Sequence, residues 1–439
     1  MRKQLLKKIV LIILLVPLLA GCALPAQVTA KLPFLARLQP LDCSLIRAGI
    51  LIGKDGDEVA EEQRDGYELA LQQINQNGGI QGCDLQLFYQ TEEEVGSTNA
   101  ASRQTYLALR SLVEDDKVAA LLGGSSSPAS MTAASLANYF NVPILIPSAG
   151  GAHILPENNR WGFRFHALES SMAGSVFELI KTEFGAGVQT VVVFEDSTFG
   201  HDAAIAAVNA ALTSEMDVTG YFAYNAAQTG SDVLAKEVME LQPQIIYLAF
   251  SDTAEAEKVL LALQVEKGSL GVVEIARAGG FATHDFLLNS SPETLAAIEN
   301  LILVTRWSGD EQSPDSQSVD EAFITGFADY TKAKYGEAQL PTLYNAEAYK
   351  SLMILADSMN SMISGAAQPP TELKKMREDL RQTLFNYKEV SSAWGLVDFT
   401  AGGQNQSGIS LLQMFGGEWK AVYPAGKAEA ELYFDFQPR

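Results

Sequence analysis

Short runs of apolar and β-branched residues recur along the chain: Ile46 to Ile52, Leu85 to Tyr89, Val118 to Leu122, Pro143 to Ile146, Val188 to Phe194, Val218 to Tyr224, Ile245 to Phe250, Val272 to Ala276 and Leu301 to Val304. Each reads as a strand. Between most of them lie stretches of helical spacing. In Glu61 to Asn77 the apolar residues Tyr67, Leu69, Ala70, Leu71 and Ile74 recur at that spacing, and Asn77-Gly78-Gly79 supplies the left-handed residue that ends a helix. Val191-Val192-Val193-Phe194 and Ile245-Ile246-Tyr247-Leu248 are apolar on both faces, as strands covered by helices on either side must be. The alternation predicts an α/β chain with parallel sheets. A polar, turn-rich stretch from Ser308 to Ser318 reads as a crossover loop. Three long helical stretches follow, Val319 to Tyr335, Asn345 to Ser364 and Thr371 to Phe385, and then a Gly-rich, strand-like tail from Trp394 to Phe436. No repeat of solenoid length is present.

The N-terminus stands apart. Arg2, Lys3, Lys7 and Lys8 precede an apolar run from Ile9 to Leu19, the layout of a signal peptide over residues 1–21. That run is too short to cross a bilayer comfortably, where about 20 apolar residues are needed. It ends in Leu19-Ala20-Gly21-Cys22, which resembles a bacterial lipobox, so Cys22 is the expected lipidation site and the new N-terminus after cleavage. Residues 22–42, with Pro25, Pro33 and Pro40 and no helical period, read as a lipidated tether. The folded part is expected to begin near Cys43.

At 439 residues, two lobes or domains are expected. The 31 Lys and Arg against 53 Asp and Glu give a net charge of −22, a balance that makes nucleic acid a poor partner. Removal of the basic leader makes the mature chain more acidic still, and it leaves no polybasic second anchor, so lipid on Cys22 alone must hold the membrane. Three cysteines, none in C-x-x-C spacing, exclude a disulfide scaffold and a structural zinc site.

Several motifs then line up in order. Asp65-Gly66-Tyr67-Glu68-Leu69-Ala70 precedes Ile74-Asn75-Gln76-Asn77-Gly78-Gly79-Ile80-Gln81-Gly82. Further on come Gly123-Gly124-Ser125-Ser126-Ser127, Asn141-Val142-Pro143 leading to Pro147-Ser148-Ala149, Glu195-Asp196-Ser197-Thr198-Phe199-Gly200, and Trp394-Gly395-Leu396-Val397-Asp398-Phe399. Together they resemble the leucine/isoleucine/valine-binding protein family, the type I periplasmic solute-binding proteins of ABC transporters. The resemblance spans nearly the whole mature chain. It implies two Rossmann-like lobes with parallel central sheets, joined by three crossovers and closing like a hinge on a small-molecule solute. Carried onto this chain, lobe one holds residues 43–166 plus 305–393 and lobe two 167–304 plus 394–439. An extracytoplasmic, lipid-anchored bacterial protein follows as the expectation, a monomer that delivers its solute to a membrane permease without a cofactor or metal.

Ligands of open α/β sheets sit beyond the carboxyl ends of the strands, where helix N-termini offer unpaired N–H groups. Ser125, Ser126 and Ser127 lie between a predicted strand and a helix from about Ala129, and their hydroxyls are suited both to cap that helix and to donate to a carboxylate. At the next strand end, Ser148, Ala149, Gly150 and Gly151 match the family's binder of the ligand's α-amino and carboxylate groups. The family's threonine there corresponds to Gly151, leaving Ser148 or His153 as replacement hydroxyl or donor. Phe199 stands where the family has a ligand-covering tyrosine, and Ser251 falls near another family aromatic. No acid occurs around Ala278-Gly279-Gly280-Phe281, where the amino-acid binders place one against the ammonium. Either Asp252, Glu195 or Asp196 supplies that charge, or the ligand is not an α-amino acid; Asp252 reads equally well as a helix N-cap.

Cys43 and Cys83 precede the first two predicted strands, whose starts share an edge if the strands are parallel neighbours. In an oxidising exported compartment this predicts a disulfide between them. An enzyme is not expected. The serine run is not G-x-S-x-G, the four histidines are scattered, and no P-loop or G-x-G-x-x-G occurs. The acidic runs Glu92-Glu93-Glu94 and Glu61-Glu62 read as solvated faces. A sensing lipoprotein, or one that activates cell-wall synthases through protein contacts, is the alternative the sequence leaves open.

Overall fold

The computed structural model describes residues 40–92, 98–268, 270–307, 317–389, 397–405, 409–424 and 428–434. The expected signal peptide, Cys22 and nearly all of the tether lie outside the described residues, as do 308–316 of the crossover loop and Trp394-Gly395-Leu396.

Two sheets carry the structure. The first contains β1 (Arg47–Ile52), β2 (Gln86–Thr91), β3 (Ala120–Gly123), β4 (Ile144–Ile146) and β5 (Gly162–Arg164), all parallel, in the order β2-β1-β3-β4-β5. The second contains β6 (Gln189–Glu195), β7 (Asp217–Tyr224), β8 (Ile245–Ala249), β9 (Val273–Arg277) and β10 (Ile302–Thr305). After a two-stranded ribbon of β11 (Lys388–Glu389) and β12 (Val397–Asp398), the hairpin β13 (Ser410–Phe415) and β14 (Glu418–Tyr423) joins the second sheet antiparallel, giving β14-β13-β10-β9-β8-β6-β7.

Helices cover both. α1 (Glu58–Gln76), α2 (Thr98–Arg110) and α3 (Ser127–Phe140) belong to the first half of the chain; α4 (Glu169–Phe184), α5 (Thr198–Thr213), α6 (Ser231–Glu240), α7 (Thr253–Lys267), α8 (His284–Leu288) and α9 (Pro292–Ala297) alternate with the strands of the second sheet. α10 (Gln317–Tyr335), α11 (Leu343–Gly365) and α12 (Leu373–Phe385) return to the first lobe, where α11 lies along α1. The result is the type I periplasmic binding protein fold, with three chain passages between two α/β lobes.

The period of two along each strand explains the layers. In β1, Ala48, Ile50 and Ile52 pack on one side and Leu51 on the other; in β6, Val191 and Val193 face one core and Val192 and Phe194 its opposite. Only the edges relax this rule, and β7 alternates exposed and half-buried positions. β5 is too short and too polar to register as an apolar run, and the segment at 403–405 protects it: Arg164 N donates to Gly403 O at 2.8 Å, and Asn405 N to Arg164 O at 2.9 Å. The first and third chain passages are thereby stitched together at the hinge.

β1 and β2 are parallel neighbours, with Arg47 opposite Gln86, and a disulfide joins Cys43 to Cys83 just before them, with Cα atoms 5.3 Å apart. It ties residues 40 positions apart in sequence. Replacing both cysteines by serine is expected to lower unfolding free energy by about 3 to 4 kcal/mol, from the loop-closure entropy restored to the unfolded chain. Denaturant unfolding of wild type and double variant checks it; equal midpoints would contradict it.

Candidate functional site

In each sheet the chain reverses its direction of travel once, between β1 and β3 in the first and between β6 and β8 in the second, and the carboxyl ends at these two points face one another. Such switch points leave a crevice in which ligands bind. Here the crevice is a cleft of about 1260 Å³ lined from both lobes. Ser125, Ser126, Ser127, Ser148, Gly150, Phe199, Ser251 and Asp252 all line it, whereas Ala149 and Gly151 do not. His153 is exposed and also lies off the lining.

The glycine pair at the end of β3 has a steric cause. Gly123 and Gly124 have φ of +111° and +90°, and a Cβ on Gly123 would fall 1.9 Å from Leu51 O. The chain thus turns directly into α3, with Ser126 as N-cap accepting from Ala129 N at 3.3 Å. The donors at this turn already have a partner within the protein. Ser125 N, Ser125 Oγ and Ser126 N all donate to Glu92 Oε1, at 2.9, 2.6 and 3.0 Å. Glu92, just past β2, is fully buried, so the solvated face expected for that acidic run does not extend to it. Burial pushes its carboxyl up, against the lowering effect of the three donors.

The second lobe repeats the device. Glu195, the last residue of β6, accepts from Ser251 N at 2.6 Å, Ser251 Oγ at 2.5 Å, Asp252 N at 3.3 Å and the Ser197 hydroxyl. Asp252 caps α7 by accepting from Glu255 N at 2.9 Å, and Asp196 pairs with His201 and Asn225. The three carboxylates that the sequence offers to a ligand's ammonium are therefore each engaged by protein donors. Ser127 and Ser148 differ from the other serines. Their oxygens accept from Gly151 N at 3.0 Å and Gln63 Nε2 at 2.9 Å, which leaves each hydroxyl its own O–H to give.

Glycines at 150 and 151 let the lobes meet. A Cβ on Gly150 would lie 2.9 Å from the Phe199 ring, and one on Gly151 would press on Ser127 and on Asp202 of α5. A threonine at 151 would require Ser127 and Asp202 to shift, and Asp202 Oδ2 is held in place by accepting from Ala152 N at 2.7 Å across the cleft. Ala149 serves from behind: its carbonyl accepts from Arg164 Nη2 at 3.1 Å, while Gly150 O accepts from the same nitrogen at 2.8 Å.

The floor holds charges that no motif announced. Arg277, closing β9, sits on Glu169 through two bonds of 2.8 Å and donates to His166 Nε2. Its guanidinium lies 5.6 Å from the Phe199 ring centre. His166 Nδ1 is 2.6 Å from Ala167 O, so it carries the proton and Nε2 is the acceptor. Burial, and then the charges of Arg306, Arg277 and Arg164, hold His166 well below the usual value, hence neutral. Arg306 pairs with Glu347 of α11, and its buried Nε has no partner. The only hint in the sequence was a lone arginine at the end of each of two apolar runs, at 277 and 306. Glu347 lies in the second turn of α11 without any signal.

A family model described as periplasmic binding protein matches residues 46–418, and the chain belongs to that family. A curated relative, the Leu/Ile/Val-binding protein homolog 7 of Brucella abortus, is 21% identical over 85% of this chain and 90% of its own. Among solved structures, the branched-chain amino acid transporter substrate-binding protein LivJ of Streptococcus pneumoniae, in complex with isoleucine, is similar with a TM-score of 0.67 at 18% identity, over 86% of this chain and 99% of that one. A solute-binding protein of an ABC transporter from R. palustris, in complex with benzoate, has a TM-score of 0.68 at 17% identity, over 88% and 99%. Among the described residues no helix is long and apolar enough to cross a membrane.

The neutral His166 makes stability depend on pH in a defined sense. Below its ordinary value of 6.5 the unfolded chain takes up a proton that the folded site refuses, so folding free energy is lost as pH falls through that value. Relative to His166→Gln, the wild type is expected to lose about 1.4 kcal/mol per pH unit below about 6.5. Denaturant unfolding of both proteins from about pH 7 down to about pH 5.5 reads this; parallel pH profiles would contradict it.

Proposed function

We propose that this protein is an extracytoplasmic solute-binding lipoprotein that captures a small polar solute by hinge closure and hands it to an ABC permease. Membership of the family supports the general role. The proposal includes the lobe boundaries 43–166 plus 305–393 and 167–304 plus 394–439, and Cys22 as the lipid-bearing residue after removal of 1–21. The ligand-contacting set proposed is the lining group Ser125 to Ser127, Ser148, Gly150, Phe199, Ser251 and Asp252, backed by Ala149 and Gly151.

One observation narrows the solute. Glu195, Asp252 and Asp196 are already occupied and Glu347 is paired with Arg306, while the Ser127 and Ser148 hydroxyls and Arg306 Nε keep donors to spare. A buried ammonium without a free carboxylate costs several kcal/mol. A carboxylate finds donors here, and Phe199 with Tyr344 offers flat apolar area for its body. The reading favours a small carboxylic acid without an α-ammonium group, which is the chemistry of the benzoate bound by the R. palustris protein. The work is binding and closure, with no bond made or broken.

A thermal-shift comparison of benzoate and short-chain acids with leucine and isoleucine tests this. An acid at about 100 times its Kd stabilises by about 2.7 kcal/mol. The expected result is a rise in Tm of several degrees with an acid and none with the amino acids, lost in a Ser127→Ala/Ser148→Ala double variant. A shift from the amino acids alone would overturn the solute class.

The anchor has its own test. Cys22→Ser is expected to move the expressed full-length protein out of the membrane fraction, as judged by fractionation and immunoblotting. Unchanged membrane retention would contradict lipidation at Cys22.

A further inference from the structure

The lobes touch on both sides of the cleft in the same manner, a carboxylate of one accepting backbone N–H groups of the other. On one side this is Asp202 with Ala152 N. On the other it is a pair from α1, Glu58 and Glu62, one helical turn apart and therefore on one face. Glu62 Oε1 accepts from His284 N at 2.6 Å, and Glu58 accepts from Asp285 N at 2.8 Å and from Thr253 Oγ1 at 3.1 Å. The two backbone donors are the first residues of α8, whose opening N–H groups have no partner within their own helix, and the third is the side-chain hydroxyl of Thr253, the first residue of α7. α1 itself is held by its own lobe: Asn345 Nδ2 donates to Glu62 O at 2.7 Å, and Thr342 Oγ1 bonds the Glu62 carboxyl.

We propose that Glu58 and Glu62 form a latch that favours the closed state of the hinge before solute binds, and that they thereby set the protein's apparent affinity. The geometry carries it. Every bond in this contact joins the two lobes, so its whole free energy falls on the closed state. A solute then meets a chain already largely closed, and the population of the competent state multiplies its affinity. The link to affinity rests on the solute-binding reading above; the latch itself does not.

The protonation state of Glu62 sharpens the test. Burial, first among the causes, pushes its carboxyl up to about 8, and the charges facing it, Glu58 on its own helix and Asp285 on the opposing one, act in the same direction. Held neutral, Glu62 accepts from His284 N through one oxygen and gives its proton to Thr342 Oγ1, whose own hydroxyl can donate to Asn345 Oδ1 at 3.0 Å. Glutamine reproduces both bonds. Glu62→Gln is therefore expected to keep the latch, whereas Glu62→Ala removes it.

The experiment is a pulsed spin-label distance measurement between exposed positions 72 on α1 and 236 on α6, each changed to cysteine, in protein without solute. Wild type and Glu62→Gln are expected to give a short distance as the major population. Glu58→Ala/Glu62→Ala is expected to add a longer distance as the major population. His284→Pro provides an independent route. It removes the donor N–H at the first position of α8, where proline is tolerated, and leaves α1 intact; the longer distance is expected again. A wild type already open without solute, a double variant and His284→Pro that both stay short, or a Glu62→Gln that opens as far as Glu62→Ala would each overturn the latch. Because no solute is present, these outcomes are separate from the thermal-shift result: a latch that fails leaves the acid-binding reading standing, and the reverse holds too.

Discussion

Unpaired N–H groups at the starts of helices are the constraint around which this structure is arranged. A fold with two largely parallel sheets facing each other across a cleft turns many helix N-termini toward the same space, and each brings donors that must be satisfied whether or not a ligand is present. The chain meets the need with its own carboxylates. Glu92 and Glu195, at the ends of β2 and β6, fill the turns before α3 and α7 from within each lobe. Glu58 and Glu62 do the same between lobes at the start of α8, and Asp202 accepts a loop amide, Ala152 N, across the cleft. Carboxylates that bind inside a lobe rigidify the walls of the cleft; those that bind across it couple the walls to each other.

The same accounting separates the serines. Ser125 and Ser251 look alike in sequence, each following a strand and preceding a helix, and both are tied to a glutamate. Ser127 and Ser148 accept from the protein and still have a proton to give. Specificity in such a cleft follows from what remains unpaired once the internal partners are counted, and at the Ser127 and Ser148 turns the remainder consists of donors.

The fold was legible because its signals are repeated. Strands apolar on both faces, helices between them and glycine-bearing turns at their ends recur many times, so an error in one run leaves the topology unchanged. The exceptions are physical. β5 is three residues with a glycine and an arginine, and its pairing comes from β4 and the 403–405 segment rather than from its own pattern. Of the cleft, most of the lining turns were legible, Ala149 and Gly151 lying off the lining, and the partners of those turns were not legible. The Ser125 to Ser127 and Ser148 to Gly151 turns lie together as the spacing implied, yet Glu92 and Glu62 belong to acidic runs that pattern alone assigns to solvent. Arg277, Arg306 and Glu347 are single charged residues whose meeting depends on three distant segments. A buried charge needs a partner from another element, and one strand or helix cannot announce what another will bring.

Hydrogen exchange at the amides of Ser125, Ser126, Ser251 and Asp252 in solute-free protein tests this account most directly. If Glu92 and Glu195 occupy those donors, all four amides exchange slowly before any solute is added, and exchange at Ser125 and Ser126 quickens on Glu92→Ala. Fast exchange in the solute-free wild type would mean that the helix starts stand open to water, and that the carboxylates are not what fills them.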